Sequence, residues 1–264
     1  MLPVLHKHDV WYERCEGCGS LQTETPYWLA EAYRSNIAVS DVGAVNRCLS
    51  SRAMVWLILT ATRMRSARLL DFGGGSGLLC RLLRDVGIDA WTCDAFGQAD
   101  YARLFKIEHT SLSDVRSSVI TAFEVFEHLA RPEEELSEIF SMNPRLLIAS
   151  TEVYHPGIDR DWWYLSPSTG QHVFFYSAEA LSRLAGRFGY ELYSRGGIHV
   201  FSKNALPPLT KHVLSLALSA RGLQLCRMAL EAKAHSRYID DDYRLSLAAE
   251  PQDTGASSHD MAGP

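Results

Sequence analysis

The 264-residue sequence has no apolar run near the roughly 18 residues that a membrane-spanning helix needs, so no span is expected. Its opening stretch, MLPVLHKHDVWYERC, lacks the apolar core of a secretory leader. Cysteine is sparse: the six, at positions 15, 18, 48, 80, 93 and 226, are scattered apart from one Cys-x-x-Cys pair. That is no disulfide framework, and it points to a reducing, cytoplasmic setting. Basic residues are not in excess either. With 26 Lys and Arg against 31 Asp and Glu, the formal net charge is −5, which excludes the basic stripe of a duplex-binding protein and is too mild for an acidic tail protein. There is no internal repeat. The one biased segment is the tail from about Ala248, AEPQDTGASSHDMAGP, which is polar, rich in Pro, Gly and Ser, and expected to be disordered.

What is present is a globular chain, 47% hydrophobic, able to bury a proper core. The first 25 residues read as irregular. Two helices are expected next, near Trp28 to Arg34 and from about Val42 to Met64, the second with an apolar stripe of Val45, Leu49, Met54, Leu57 and Thr60. The pattern then alternates. Strands are expected at Ala67 to Phe72, Asp89 to Asp94, Ser118 to Phe123 and Arg145 to Ser150, with helices at Gly77 to Val86, Glu133 to Ser141 and Ser177 to Phe188. Ser177 suits the N-cap of the last helix and Gly189 its C-terminal stop. Strands near Tyr190 to Tyr193 and Ile198 to Ser202, joined by Arg195-Gly196-Gly197, read as an antiparallel hairpin. Alternation of this kind implies an α/β fold with a doubly wound, mostly parallel sheet. A further helical stretch follows Pro207-Pro208 to about Lys233.

The segment LLDFGGGSGLL, residues 69–79, places a glycine cluster directly after the first buried strand. Open α/β sheets bind ligands at that edge. A phosphate-binding loop would need a Lys followed by Ser or Thr, and there is none. The dinucleotide pattern GxGxxG would need a small residue where Leu78 stands; counted from Gly75 it fails at Cys80. What is left is Asp71 two residues ahead of a Gly73-Gly74-Gly75-Ser76-Gly77 run, with a second acid, Asp94, at the end of the next strand, about 20 residues on, where this fold places the group that accepts ribose hydroxyls.

Asp71 to Gly77 resembles the first motif of class I S-adenosylmethionine-dependent methyltransferases. The resemblance implies a Rossmann-like seven-stranded sheet, mostly parallel with an antiparallel last strand, and S-adenosylmethionine as cofactor. Asp71, Gly73, Gly75 and Gly77 would lie along its methionine portion, with Asp94 on its ribose. Further along, VITAFEVFEHLARPEEEL and WWYLSPSTGQHVFFYSAEALSRLAGRFGY look like segments of the branch that includes quinone-type O-methyltransferases. RCEGCGSLQTETPYWLAEAY resembles the N-terminal segment of bacterial methyltransferases found beside glycosyltransferases of surface polysaccharides. The implied organisation is an N-terminal segment with a lid helix (1–40), a methyltransferase domain (41–204), a helical appendage (205–247) and a tail (248–264). The implied reaction is methyl transfer to a small-molecule acceptor, a sugar or sugar nucleotide, at oxygen. A nicotinamide-dependent oxidoreductase and a non-catalytic relative are the rivals; Leu78 disfavours the first, and intact Asp71 and Asp94 the second.

Methyl transfer to a hydroxyl is helped by a base. His172, in a Gly-led loop before a helix, and His128, just past a strand end, are the base candidates in that order; each also reads as a loop residue bonded to backbone. Glu124 at the sheet rim could touch cofactor or acceptor, whereas Glu127 reads as a surface or packing residue. Trp162, Trp163 and Tyr164 suit an acceptor wall or a loop cluster, and Tyr27, Trp28 and Tyr33 a lid or the apolar face of a short helix. Cys15 and Cys18 have the spacing of half a zinc knuckle, but structural zinc wants four ligands. An eroded zinc ribbon with two free thiols is the leading reading, and no metal site is expected.

Overall fold

A computed structural model describes residues 1–34, 42–108, 117–232 and 236–249. The expected disordered tail lies largely outside them. The chain begins with strands β1 (Leu2–Val4), β2 (His8–Val10), β3 (Tyr12–Arg14) and β4 (Leu21–Thr23), then a single helical turn α1 (Leu29–Ala32) and helix α2 (Ala44–Ala61). The alternating part follows as β5 (Leu69–Phe72), α3 (Leu78–Asp85), β6 (Ala90–Cys93), β7 (Val119–Ala122), α4 (Pro132–Ser141), β8 (Leu146–Ser150), β9 (Phe174–Phe175), α5 (Ala178–Phe188), β10 (Glu191–Arg195) and β11 (Ile198–Ser202). Helices α6 (Pro208–Ala217), α7 (Ala220–Glu231) and α8 (Arg237–Ala249) close the chain.

The central sheet has six strands in the order β10-β11-β8-β7-β5-β6. β6, β5, β7 and β8 run parallel, and β11 is antiparallel to both β8 and β10. The mostly parallel sheet and the closing hairpin are as expected; a seventh strand is not found among the described residues. Beyond β6 the sheet edge is reduced to one parallel bridge, Thr92 to Lys106, and the Ile107 N–H donates to the Thr92 carbonyl at 2.8 Å.

β7 and β8 are buried along their whole length, which is why they read as unbroken apolar runs. Their side chains alternate between two cores. Val119, Leu146, Ile148 and Val200 pack with Ile58, Leu59 and Leu83 on the α2/α3 face; Ile120, Leu147 and Phe201 pack with Leu136, Phe140 and Leu181 on the α4/α5 face. On α2 the buried residues are Ser51, Arg52, Ala53, Val55, Ile58 and Leu59, so the expected stripe is displaced: α2 packs against α3, α6 and α7 together, and Val45 is exposed.

Two further expectations fail. The first 25 residues form two short hairpins, β1-β2 and β3-β4, and the expected N-terminal helix shrinks to one turn. β4 gains its place by pairing with β9, about 150 residues later, an interaction no local pattern announces. Ser177 caps α5 as expected, accepting from the Ala180 N–H at 3.0 Å; its hydroxyl also donates to the Cys18 carbonyl, tying α5 to the β3-β4 turn. The late helical stretch is two helices meeting at 78°, with Ser219 capping α7 by accepting from the Gly222 N–H. No single described helix is long and apolar enough to cross a membrane.

α8 is fixed to α3 by charge. The Asp242 carboxylate accepts two bonds from Arg84 and one from Arg81, each at 2.7 Å. The Arg84 guanidinium lies 3.6 Å over the Phe105 ring and 4.5 Å from the Tyr238 ring.

Candidate active site

β5 is flanked by β6 and β7 and ends at the sheet's carboxyl edge, which carries Asp71 into the middle of the fold at 2% exposure. Its Oδ1 accepts from the Thr121 hydroxyl of β7 at 2.8 Å. Its Oδ2 is buried without a partner. Burial, against the relief from Thr121, pushes this carboxyl up to about 7.

The glycine loop lies directly over it. The Gly73 and Gly74 N–H groups donate to the Cys93 carbonyl of β6 at 2.8 and 3.2 Å. A Cβ on Gly74 would overlap the Thr92 hydroxyl and come within 2.7 Å of Asp71 Oδ2, so this glycine is demanded by internal packing. Gly73 and Gly77 are closed off by Val125 and Ala102. Gly75 differs: at φ 55° it takes the left-handed conformation, and a Cβ there would point into open space. The bare outer face of the loop is therefore at Gly75.

Asp94 stands just past β6 and is turned toward this loop. Its Oδ2 accepts from the Gly75 N–H at 2.8 Å, and its Oδ1 from the Phe96 and Gly97 N–H groups at 2.7 and 2.6 Å. A carboxylate offers about four lone-pair sites, so roughly one stays available to a ligand hydroxyl in this arrangement. The Ala99 and Tyr101 N–H groups donate to the Gly75 and Ser76 carbonyls, which lays the segment after Asp94 along the loop.

A second constellation forms beyond β7. Glu124 is left-handed at φ 53°, an uncommon state for a residue with a side chain. Its N–H donates to the Ser150 hydroxyl and its Oε1 accepts from that hydroxyl, both at 2.8 Å. A 3-10 turn over Phe126–His128 follows. Glu127 is fully buried, which leaves the packing alternative of its two readings and removes the surface one. Neither of its oxygens accepts a hydrogen bond of good geometry, although the Tyr164 and Thr151 hydroxyls lie close enough to lower its pKa; those two hydroxyls bond each other at 3.2 Å. Burial, and then the Glu124 charge, push its carboxyl up to about 8.

The two base candidates meet here. The His128 and His172 rings stand perpendicular, 5.0 Å between centroids. His128 Nδ1 lies 3.1 Å from the Gln171 carbonyl and 3.0 Å from the Tyr33 hydroxyl; His172 Nδ1 lies 2.6 Å from the Tyr164 carbonyl. Burial pulls His128 down to about 3 and His172 down to about 4, so both rings are neutral at pH 7. Glu127, His128 and His172 each present one ligand atom, all within 4.8 Å of one another.

A cavity of about 270 Å³ lies beside Glu124 and Tyr164, lined also by Ser150, Glu152, Trp163 and, from α2, Asn46; none of Glu127, His128 and His172 lines it. Of the expected acceptor wall, Trp163 is exposed, whereas Tyr164 is core and Trp162 packs on Tyr154, Tyr164 and Phe175. Tyr33 stacks on Phe96 at 5.3 Å while its hydroxyl reaches His128, joining the N-terminal segment to both constellations. Trp28 is buried and donates to the Gly170 carbonyl; Tyr27 is exposed.

The sequence matches the model of the methyltransferase-domain family over residues 50–195, from within α2 to the end of β10. This chain belongs to that family. No curated protein matches it in sequence. Among solved structures, Burkholderia thailandensis 1,6-didemethyltoxoflavin-N1-methyltransferase, with its acceptor and S-adenosylhomocysteine bound, is 13% identical, covering 75% of this chain and 100% of that one at a TM-score of 0.50. The magnesium protoporphyrin IX methyltransferase of Synechocystis is 13% identical over 67% of this chain and 94% of its own, at 0.43.

In this methyltransferase domain the glycine loop and both acids occupy one edge of the sheet, as the sequence led us to expect. The Glu127–His128–His172 grouping was not foreseen, since no metal site was expected. The adjacent acid and histidine in Glu124-Val125-Phe126-Glu127-His128, placed straight after a buried strand, were the available signal. Cys15 and Cys18 sit in the β3-β4 turn as free thiols, and no third His, Cys, Asp or Glu joins them in a metal-sized group among the described residues. Hydrogen bonds from the Cys18 backbone and side chain lower the Cys15 pKa.

Proposed function

We propose that this methyltransferase domain moves the methyl group of S-adenosylmethionine onto a hydroxyl of a small polar acceptor, with a sugar or sugar nucleotide of a surface polysaccharide as the acceptor class. The observation that carries the reading is the buried, unpartnered Asp71 oxygen beneath a glycine loop whose outer face at Gly75 is open. A buried carboxylate without a partner is costly, and the ammonium end of the donor supplies the missing positive charge. Gly75 lets the backbone lie along the methionine portion, with Gly73 and Gly77 shaping the loop from within, and Asp94 offers its remaining lone pair to the ribose. A protein of the same fold carries S-adenosylhomocysteine beside a small acceptor, in keeping with this arrangement.

The acceptor oxygen attacks the methyl carbon in line, the carbon–sulfur bond breaks, and the sulfonium becomes a neutral thioether. Alignment and exclusion of water supply most of the acceleration. The hydroxyl proton leaves to solvent water beside the Glu127–His128–His172 cluster. The cavity beside Glu124, with exposed Trp163 near Ser150, Glu152 and Asn46, supports a sugar-like acceptor. Tyr33 acts as the lid element over the donor. Titration calorimetry with S-adenosylhomocysteine and, separately, NAD tests the reading. We expect S-adenosylhomocysteine to bind, NAD not to bind, and Asp94→Ala to weaken binding at least about tenfold, the loss of a charge-assisted hydrogen bond. Binding of NAD alone would overturn the proposal.

A further inference from the structure

We infer that Glu127, His128 and His172 form a site for one divalent transition-metal cation; as an account of how the hydroxyl is activated, this rests on the methyl-transfer reading, but the site itself does not. Three independent features converge. The ligand atoms of the three residues lie within 4.8 Å of one another. Glu127 has no exposed surface, and neither carboxylate oxygen accepts a hydrogen bond of good geometry, the neighbouring Tyr164 and Thr151 hydroxyls being bonded to each other; buried carboxylates are normally paired, hydrogen-bonded or on a metal. Each histidine is oriented through Nδ1 by a backbone carbonyl, Gln171 for His128 and Tyr164 for His172. A carbonyl on Nδ1 fixes the proton there and leaves the Nε2 lone pair as the ligand, the arrangement that metal-bound imidazoles use.

The donor set narrows the ion. Two neutral imidazoles and one carboxylate suit cations from Mn²⁺ to Zn²⁺, while Mg²⁺ and Ca²⁺ prefer oxygen ligands. Three protein ligands leave coordination positions open, and both histidines are only partly buried. One open position takes the acceptor hydroxyl. Bound to the cation, the hydroxyl loses its proton to solvent water. The oxygen pair then attacks the methyl carbon, and sulfur keeps the pair of the broken carbon–sulfur bond. The cation is unchanged by the cycle. On this account His128 and His172 act as ligands rather than as the proton acceptor.

The test uses the full chain, stripped with a chelator and titrated with Co²⁺ alone, with no methyl donor present. We expect one equivalent to bind with visible ligand-field absorption. Glu127→Gln and His172→Ala should each weaken binding at least about tenfold, while the Cys15→Ser/Cys18→Ser double variant binds as the parent does. Glu127→Gln keeps the side-chain shape, and circular dichroism checks that it folds. Absence of bound Co²⁺ overturns the inference. So does binding unaffected by both cluster variants, or binding lost in the cysteine variant. A chain that binds Co²⁺ at the cluster but not S-adenosylhomocysteine upholds the metal site and removes the methyl-transfer reading, so the two failures are told apart.

Discussion

On one side of the sheet's carboxyl edge, the glycine loop is assembled from consecutive residues and is held by backbone bonds to the next strand and turn. On the other, the Glu127–His128–His172 cluster joins segments 43 residues apart, and Tyr33 reaches it from 95 residues upstream. Both sides leave a buried carboxylate oxygen without a partner, Asp71 in the first and Glu127 in the second. Their supports differ, however. The loop keeps its shape through local covalent spacing. The cluster exists only once the N-terminal hairpins, the turn after β7 and the loop before β9 have packed together. Damage to the first should be local and chemical, and damage to the second should follow the packing of distant segments.

The largest effect expected on the glycine side concerns Asp71. Its carboxyl is pushed up to about 7 by burial, above an ordinary value near 4. The neutral form favours folding, so this contribution is fully present below the unfolded pKa and is lost as pH rises through about 7. Asp71→Asn removes the penalty of burying the charge. Relative to the parent, it should gain up to about 4 kcal/mol between pH 4 and pH 8 in urea unfolding, while its affinity for S-adenosylhomocysteine falls. A parallel pH profile for the two proteins would mean that the ionised Asp71 is compensated, and the parallel with Glu127 would break.

A pair of neighbouring substitutions sharpens the local character of the loop. Gly74→Ala drives a methyl group into Thr92 and Asp71, and should cost about 3 kcal/mol. Gly75→Ala meets no atom and carries only the left-handed backbone penalty, about 1–2 kcal/mol. Denaturant midpoints distinguish them; equal costs would show that the loop rearranges as a unit. The smallest effect is expected on the other side. Tyr33→Phe deletes the hydroxyl that reaches His128 and should cost about 1 kcal/mol, with affinity for metal reduced more than affinity for S-adenosylhomocysteine. The reverse order would show that Tyr33 serves the donor side through its stacking on Phe96.

The same contrast explains what could be read in advance. Asp71, the glycines and Asp94 form a short motif with a fixed spacing, and the strands that carry them are apolar runs bounded by turns. Their placement needs only the local pattern and the handedness of the fold. β10 and β11 were legible from the Arg195-Gly196-Gly197 turn between them and from the apolar run of β11. The burial of Glu127 could not be read, because its enclosure comes from Tyr164, Thr151 and the loop at residue 172 rather than from its neighbours in the chain. The N-terminal hairpins escaped for a related reason: three-residue strands show no alternation, and β4 is held by Phe174 and Phe175. Among the described residues the edge beside β6 is one bridge wide, so the resemblance promised more of the sheet there than these residues form.

The Arg84–Asp242 contact imposes an order on biosynthesis. Arg84 lies in the helix that starts at the glycine loop, and the carboxylate that neutralises it is 158 residues further along. A ribosome adding about 5–20 residues per second delivers that carboxylate roughly 8–30 seconds later. Until then the nascent domain must hold a guanidinium on the Phe105 ring with its strongest partner absent. The helix that begins at the ligand loop is therefore locked by charge only when α8 arrives, so the delay before α8 acts as a timer on the maturation of the site.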